Sequence, residues 1–213
     1  MFHYPILAFV ALFSTAIPIL AGIYRLGSID RAMKILIVYL IFAFSIDIVT
    51  MWLIKGYWVN LGLMHIYFLI EYMFIMSIIF FWQESPKMKR LFQTLLLLYM
   101  LFWIIAKFTF EPFNGLYSLT TSVSQVLLAL GAGYTLFVVM GNRVQPLISH
   151  QRFWVLLSFV LFYAGTLTFY ALLGIFLHYP TEDMFLAVSI NWSLRILFNI
   201  LLTIGFLCPR TQP

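Results

Sequence analysis

Apolar runs of about twenty residues recur along this chain with only short polar stretches between them, and this pattern leaves few folds open. Inside hydrocarbon every backbone N–H and C=O must find its partner within the protein, so each run is expected to cross as an α-helix. Seven spans follow, over about residues 4–24, 35–54, 61–82, 91–110, 116–140, 153–177 and 184–207. They consume nearly all of the 213 residues, so an all-α integral membrane protein is expected. Residues 1–213 would form one seven-helix bundle with no soluble domain. Composition agrees: 64% of residues are hydrophobic and 9% charged, against roughly 45–50% and 25% in soluble domains. One cysteine, Cys208, leaves no intramolecular disulfide. Pro18 falls inside the first run and should kink that helix.

The loop charges set an expected orientation. Arg25, Arg31, Lys34, Lys87, Lys89, Arg90, Arg143, Arg152 and Arg210 fall on one side, which makes nine, and only Lys55 and Lys107 on the other. Cytoplasmic loops gather lysine and arginine, so the N-terminus is expected outside and the C-terminus in the cytoplasm. The first run lacks a basic start and is followed by Arg25, so it should remain as an uncleaved span. Trp52, Tyr57, Trp58 and Tyr179 would mark one interface, and Trp82, Trp154 and Tyr24 the other. Because the basic residues are scattered over separate loops, the net charge of +5 points to topology and not to nucleic acid. The stretch from Trp82 to Arg90 is the most charged connection; it would anchor the protein at anionic head groups or dock a partner.

Arg195 is the exception to the pattern, since it falls near the middle of the last run. A guanidinium at that depth costs several kcal/mol or more unless it is paired or hydrated. Asn191, Arg195 and Asn199 are four apart, so one face of this helix is polar. Only Asp47 and Glu71 offer carboxylates within apolar segments. Counting 1.5 Å of rise per residue puts Glu71 level with Arg195 and Asp47 about 3 Å shallower. Glu71 is therefore the expected partner of Arg195, with Asp47 meeting Asn191 or the edge of the guanidinium. Together these groups would line an outward-facing polar chamber, or form a purely structural buried ion pair.

Neighbouring spans add polar groups at similar depth. The hydroxyls between Ser118 and Ser124 are expected mainly to bond their own helix carbonyls, whereas the Gln125 amide needs a partner. Tyr163, Thr166 and Tyr170 recur as a packing stripe does, with hydroxyls that could reach the same centre. Small residues from Ala129 to Gly133 suggest a close helix contact. His3, His65 and His178 are the only candidate metal ligands, and no spacing drives them together, so no metal or other cofactor is expected. A retinal-type Schiff base is disfavoured because the last span has no lysine.

Two classes of function fit these residues. One is a membrane sensor or accessory subunit whose pocket takes a small or amphipathic ligand at Asp47, Glu71, Gln125, Thr166, Tyr170, Asn191, Arg195 and Asn199. Its loops are too short to signal, so it would relay to a separate protein partner. The other is an enzyme acting on a lipid, with Asp47 and Glu71 as acid and base and Arg195 holding an anion. A small transporter is a third. The expected location is the lipid bilayer of a bacterial cytoplasmic (inner) membrane.

Overall fold

The computed structural model describes residues 6–55, 61–115, 118–141, 147–178 and 182–208. His3, Tyr57, Trp58, Arg143, Tyr179 and Arg210 lie outside the described residues, as do the side chains of Lys55 and His178. The helices are α1 (Ile6–Ser14), α2 (Ala16–Tyr24), α3 (Arg31–Lys55), α4 (Leu61–Trp82), α5 (Pro86–Thr109), α6 (Ser118–Gly141), α7 (Gln151–His178) and α8 (Glu182–Leu207). A 3-10 turn over Leu147–Ser149 precedes α7. Among the described residues there is no strand, and seven helical segments of 19 to 24 residues are long and apolar enough to cross a membrane. The chain is an all-helical, multi-pass membrane bundle.

The first span is α1 and α2 together, broken at Thr15. Pro18 has no N–H to offer the Ser14 carbonyl, and its ring crowds that carbonyl. The Thr15 N–H tightens instead onto the Leu12 carbonyl at 3.2 Å. The helix is interrupted where the kink is expected.

Two helices begin earlier than hydropathy suggests, and local bonds explain both. The Asp30 carboxylate accepts the Met33 N–H at 2.8 Å, which starts α3 at Arg31 and not at residue 35. Pro86 occupies the first turn of α5, where its missing N–H costs nothing. The cationic stretch Lys87, Lys89, Arg90 is therefore the first turn and a half of a helix and not a loop.

Six spans form a closed ring. The first span packs on α3, α3 on α4, α4 on α6, α6 on α7, α7 on α8, and α8 returns to the first span. Helix α5 leans on α4 and α6 from outside, tied by the Tyr72 hydroxyl to the Leu95 carbonyl and the Tyr99 hydroxyl to the Thr120 carbonyl, each at 3.2 Å. Large apolar side chains such as Leu20, Phe108 and Phe137 face outward. In lipid, helix association rests on close packing more than on apolar burial. Gly131, in the small-residue stretch of α6, admits the Phe92 ring from α5: a Cβ there would sit 3.1 Å from that ring. Gly205 does the same between α8 and α7, where a Cβ would sit 2.9 Å from Val155.

The two halves of the ring differ. Where α3 starts and α4 ends, the interior is solid: Met33, Leu36, Ile78, Phe159, Leu202 and Phe206 are all fully buried. Asp30 knots this end, capping α3 while accepting Trp82 Nε1–H at 3.1 Å and lying 3.8 Å from the Arg152 guanidinium. Gln83, just past the end of α4, adds a bond to Thr135 of α6 at 2.7 Å. The other half, where α3 ends and α4 begins, is hollow.

Candidate functional site

A cavity of about 200 Å³ opens inside the hollow half. Seven of the eight residues proposed from sequence as ligand contacts border it: Asp47, Glu71, Gln125, Tyr170, Asn191, Arg195 and Asn199. Thr166 stands behind the wall, where its hydroxyl donates to the Gln125 side-chain oxygen at 3.0 Å. That bond supplies the partner that the Gln125 amide required. Aromatic side chains complete the lining, among them Tyr67, Phe68, Phe162, Phe169, Trp192 and Phe198.

Arg195 pairs with Asp47, not with Glu71. The expectation from depth fails because 3 Å of rise is well within the reach of an arginine side chain, so depth cannot choose between the two carboxylates. Both members of the pair keep about a quarter of their side-chain surface open, 26% for Arg195 and 22% for Asp47.

Glu71 is buried, and its Oε1 accepts two hydroxyls, Tyr39 at 2.7 Å from α3 and Tyr163 at 3.3 Å from α7. The carboxylate therefore links α3, α4 and α7. Tyr39 was not legible as a partner, since a tyrosine in an apolar helix reads as packing; Tyr163 too read chiefly as packing in the stripe with Thr166 and Tyr170, though its hydroxyl was within reach of the centre.

Asn199 borders the cavity but commits its amide elsewhere. Its Nδ2 donates to Ser14 Oγ at 2.7 Å and Thr15 Oγ1 at 3.1 Å, so α8 holds the kink between α1 and α2. Two of the α6 hydroxyls behave as expected, Ser122 bonding the Ser118 carbonyl and Ser124 the Thr121 carbonyl, whereas Thr121 Oγ1 is buried with no partner among the described residues.

Two smaller hollows flank α8. One, of about 190 Å³, lies between α1, α3 and α8 and shares Asp47 and Trp192 with the central cavity. The other, of about 100 Å³, lies between α7 and α8 and shares Phe169 and Asn191. The first half of α8 is thus bordered by empty space on three sides.

A second polar cluster was missed from the sequence. Lys107, expected at the membrane surface, is buried and donates to His65 Nδ1 at 2.6 Å and to Glu111 Oε2 at 3.3 Å. His65 Nε2 donates to the Gly115 carbonyl at 3.1 Å, and Glu111 Oε2 also accepts the Thr120 N–H in the first turn of α6. Both ring nitrogens of His65 are engaged, which removes it as a metal ligand. The signal available was the spacing of Lys107 and Glu111, four apart at a helix end. Among the described residues no three His, Cys, Asp or Glu side chains converge.

With this geometry in hand, known proteins give no further guide. No family model, curated protein or solved structure matches the chain.

Proposed function

We propose that this protein is a membrane sensor or accessory subunit whose central chamber binds a small or amphipathic ligand and relays its occupancy to a separate protein partner. One observation carries the reading: an ion pair, a buried carboxylate and a ring of aromatic side chains border a single cavity inside a helical bundle. Binding pockets are concave and mostly apolar, with a few placed polar groups. The Asp47–Arg195 pairing favours binding over catalysis by an Asp47 and Glu71 acid/base couple, because Asp47 is already committed. A chamber backed by the solid half of the ring also suits a receptor better than a transport route.

The relay would run through α8. Its first half borders three cavities, though Leu194 still meets α7 closely at Gly165, while its second half packs on α7 at Gly205 and on the first span at Asn199. A ligand that displaced the first half would bear on helices reaching the opposite membrane face. There Lys87, Lys89 and Arg90 would meet the partner or anionic head groups. The loop charges support an outward-facing chamber in a bacterial cytoplasmic membrane, with the N-terminus outside.

The test is native mass spectrometry of protein extracted in mild detergent. A bound small molecule or lipid is expected on the wild type and absent from Ala43→Phe, which fills the chamber from α3. Identical spectra for the two would overturn the reading. In parallel, Lys87, Lys89 and Arg90 reversed to glutamate should abolish partner capture from native membranes without loss of insertion; unchanged capture would remove docking there.

A further inference from the structure

We propose that the ligand is a single-chain amphiphile with a cationic, ammonium-type head, whose chain lies in the hollow between α1, α3 and α8. This rests on the ligand-binding reading of the chamber and adds the chemical class.

Charge comes first. The cavity wall carries two carboxylates and one guanidinium. Arg195 neutralises Asp47, whereas Glu71 receives only the uncharged hydroxyls of Tyr39 and Tyr163 and, among the described residues, has no ion-pair partner. A carboxylate at this depth is held ionised only where a counter-charge meets it, and a monovalent cation in the cavity would supply one. Aromatic ring faces attract ammonium groups, and Tyr67, Phe68, Phe162 and Trp192 line the same space.

Volume comes next. At about 200 Å³ the chamber falls below the roughly 300–1,000 Å³ of a drug-sized ligand site, so it suits a head group and not a whole lipid. The chain must lie elsewhere. The 190 Å³ hollow begins at Asp47 and Trp192, the residues it shares with the chamber, and continues along Ala8, Phe9, Leu12 and Met51. Its flanks carry lipid-facing side chains, Phe13 at 57% exposure and Trp52 at 76%, so a chain there runs straight into hydrocarbon. The Thr50 hydroxyl, buried and without a partner among the described residues, borders this hollow beside Asp47 and offers a further polar contact near the head. Trp192, standing between the two spaces, is the side chain that must turn for the head to pass.

Three probes separate the elements: dodecyltrimethylammonium, dodecyl sulfate and tetramethylammonium. Each is titrated, below its micelle concentration, onto protein in dodecyl maltoside, with the thermal midpoint read by tryptophan fluorescence. Dodecyltrimethylammonium should raise the midpoint and bind at least about tenfold more tightly than dodecyl sulfate. Glu71→Gln should weaken it about tenfold or more. Leu12→Trp, which fills the hollow, should weaken dodecyltrimethylammonium similarly while leaving tetramethylammonium unchanged. Equal or tighter binding of dodecyl sulfate, lost in Ala43→Phe, would overturn the charge class and leave the chamber standing. An unchanged affinity in Leu12→Trp would overturn the chain position alone. No shift with any probe at saturation would overturn the amphiphile proposal, while the mass spectra of the wild type and Ala43→Phe decide the chamber reading separately. Should Glu71→Gln not fold, the wild-type ratio of the two dodecyl probes decides the charge class unaided.

Discussion

Arg195 on α8 reaches across the bundle to Asp47 on α3, 148 positions earlier, and leaves Glu71 to two tyrosines. The charged groups around the chamber are thus divided between two separate links, one joining α8 to α3 and one joining α4 to α3 and α7.

The first link should appear as coupling. Asp47→Asn and Arg195→Gln are each expected to cost about 2–4 kcal/mol, below the 3–5 of a fully buried pair because both side chains remain partly open. The double variant should cost less than the sum by about 1 kcal/mol or more. Denaturant unfolding in detergent measures all three, and additive losses would mean that the pair is not formed.

The second link should depend on hydroxyls and not on Arg195. Tyr39→Phe is expected to destabilise by about 1.5–3 kcal/mol, as for a hydrogen bond to a charged acceptor. In a Glu71→Gln background its further cost should shrink. If Tyr39→Phe costs the same with and without Glu71, the 2.7 Å bond has been misassigned.

The cluster at His65 should behave as one structural unit. Lys107→Met leaves Glu111 buried without its cation, and a loss of about 3 kcal/mol or more is expected. Lys107→Met with Glu111→Gln should recover part of that. Failure to recover any would separate the Glu111 contact with the α6 terminus from the ion pair.

Close approach at Gly205 predicts a size-dependent defect. Gly205→Ala places a Cβ 2.9 Å from Val155 and 3.3 Å from the Gln151 carbonyl, an overpacking expected to cost about 1–3 kcal/mol. Val155→Ala in the same chain should return most of it. An unaltered midpoint for Gly205→Ala would show that α7 and α8 can separate there at no cost.

Much of this was legible in the sequence because hydrocarbon permits so little. The seven runs, the kink at Pro18 and the grouping of Asp47, Glu71, Asn191 and Arg195 in one half of the bundle all follow from helical rise and the cost of buried polarity. Pairing was not legible. Choosing between Asp47 and Glu71 requires knowing which way α3 and α4 are rotated, and single residues in apolar helices carry no record of rotation. Lys107 was misread for a related reason: a lysine near a helix end is usually at the surface, and only the return of Glu111 and His65 to the same point draws it inside. Asp30 was passed over because two of its three contacts, Trp82 and Arg152, come from helices far away in sequence, although its cap on Met33 is local.

The contrast between the solid and hollow halves also bears on how the bundle yields to hydrostatic pressure. Close-packed interiors are nearly incompressible, whereas void space is what compression removes. Squeezed uniformly, this bundle would shorten its interhelical distances around the first half of α8, beside the 200 Å³ and 190 Å³ spaces, more than at the closely packed Asp30 end. The softness of the molecule is therefore directional, concentrated in the same helix that carries Arg195.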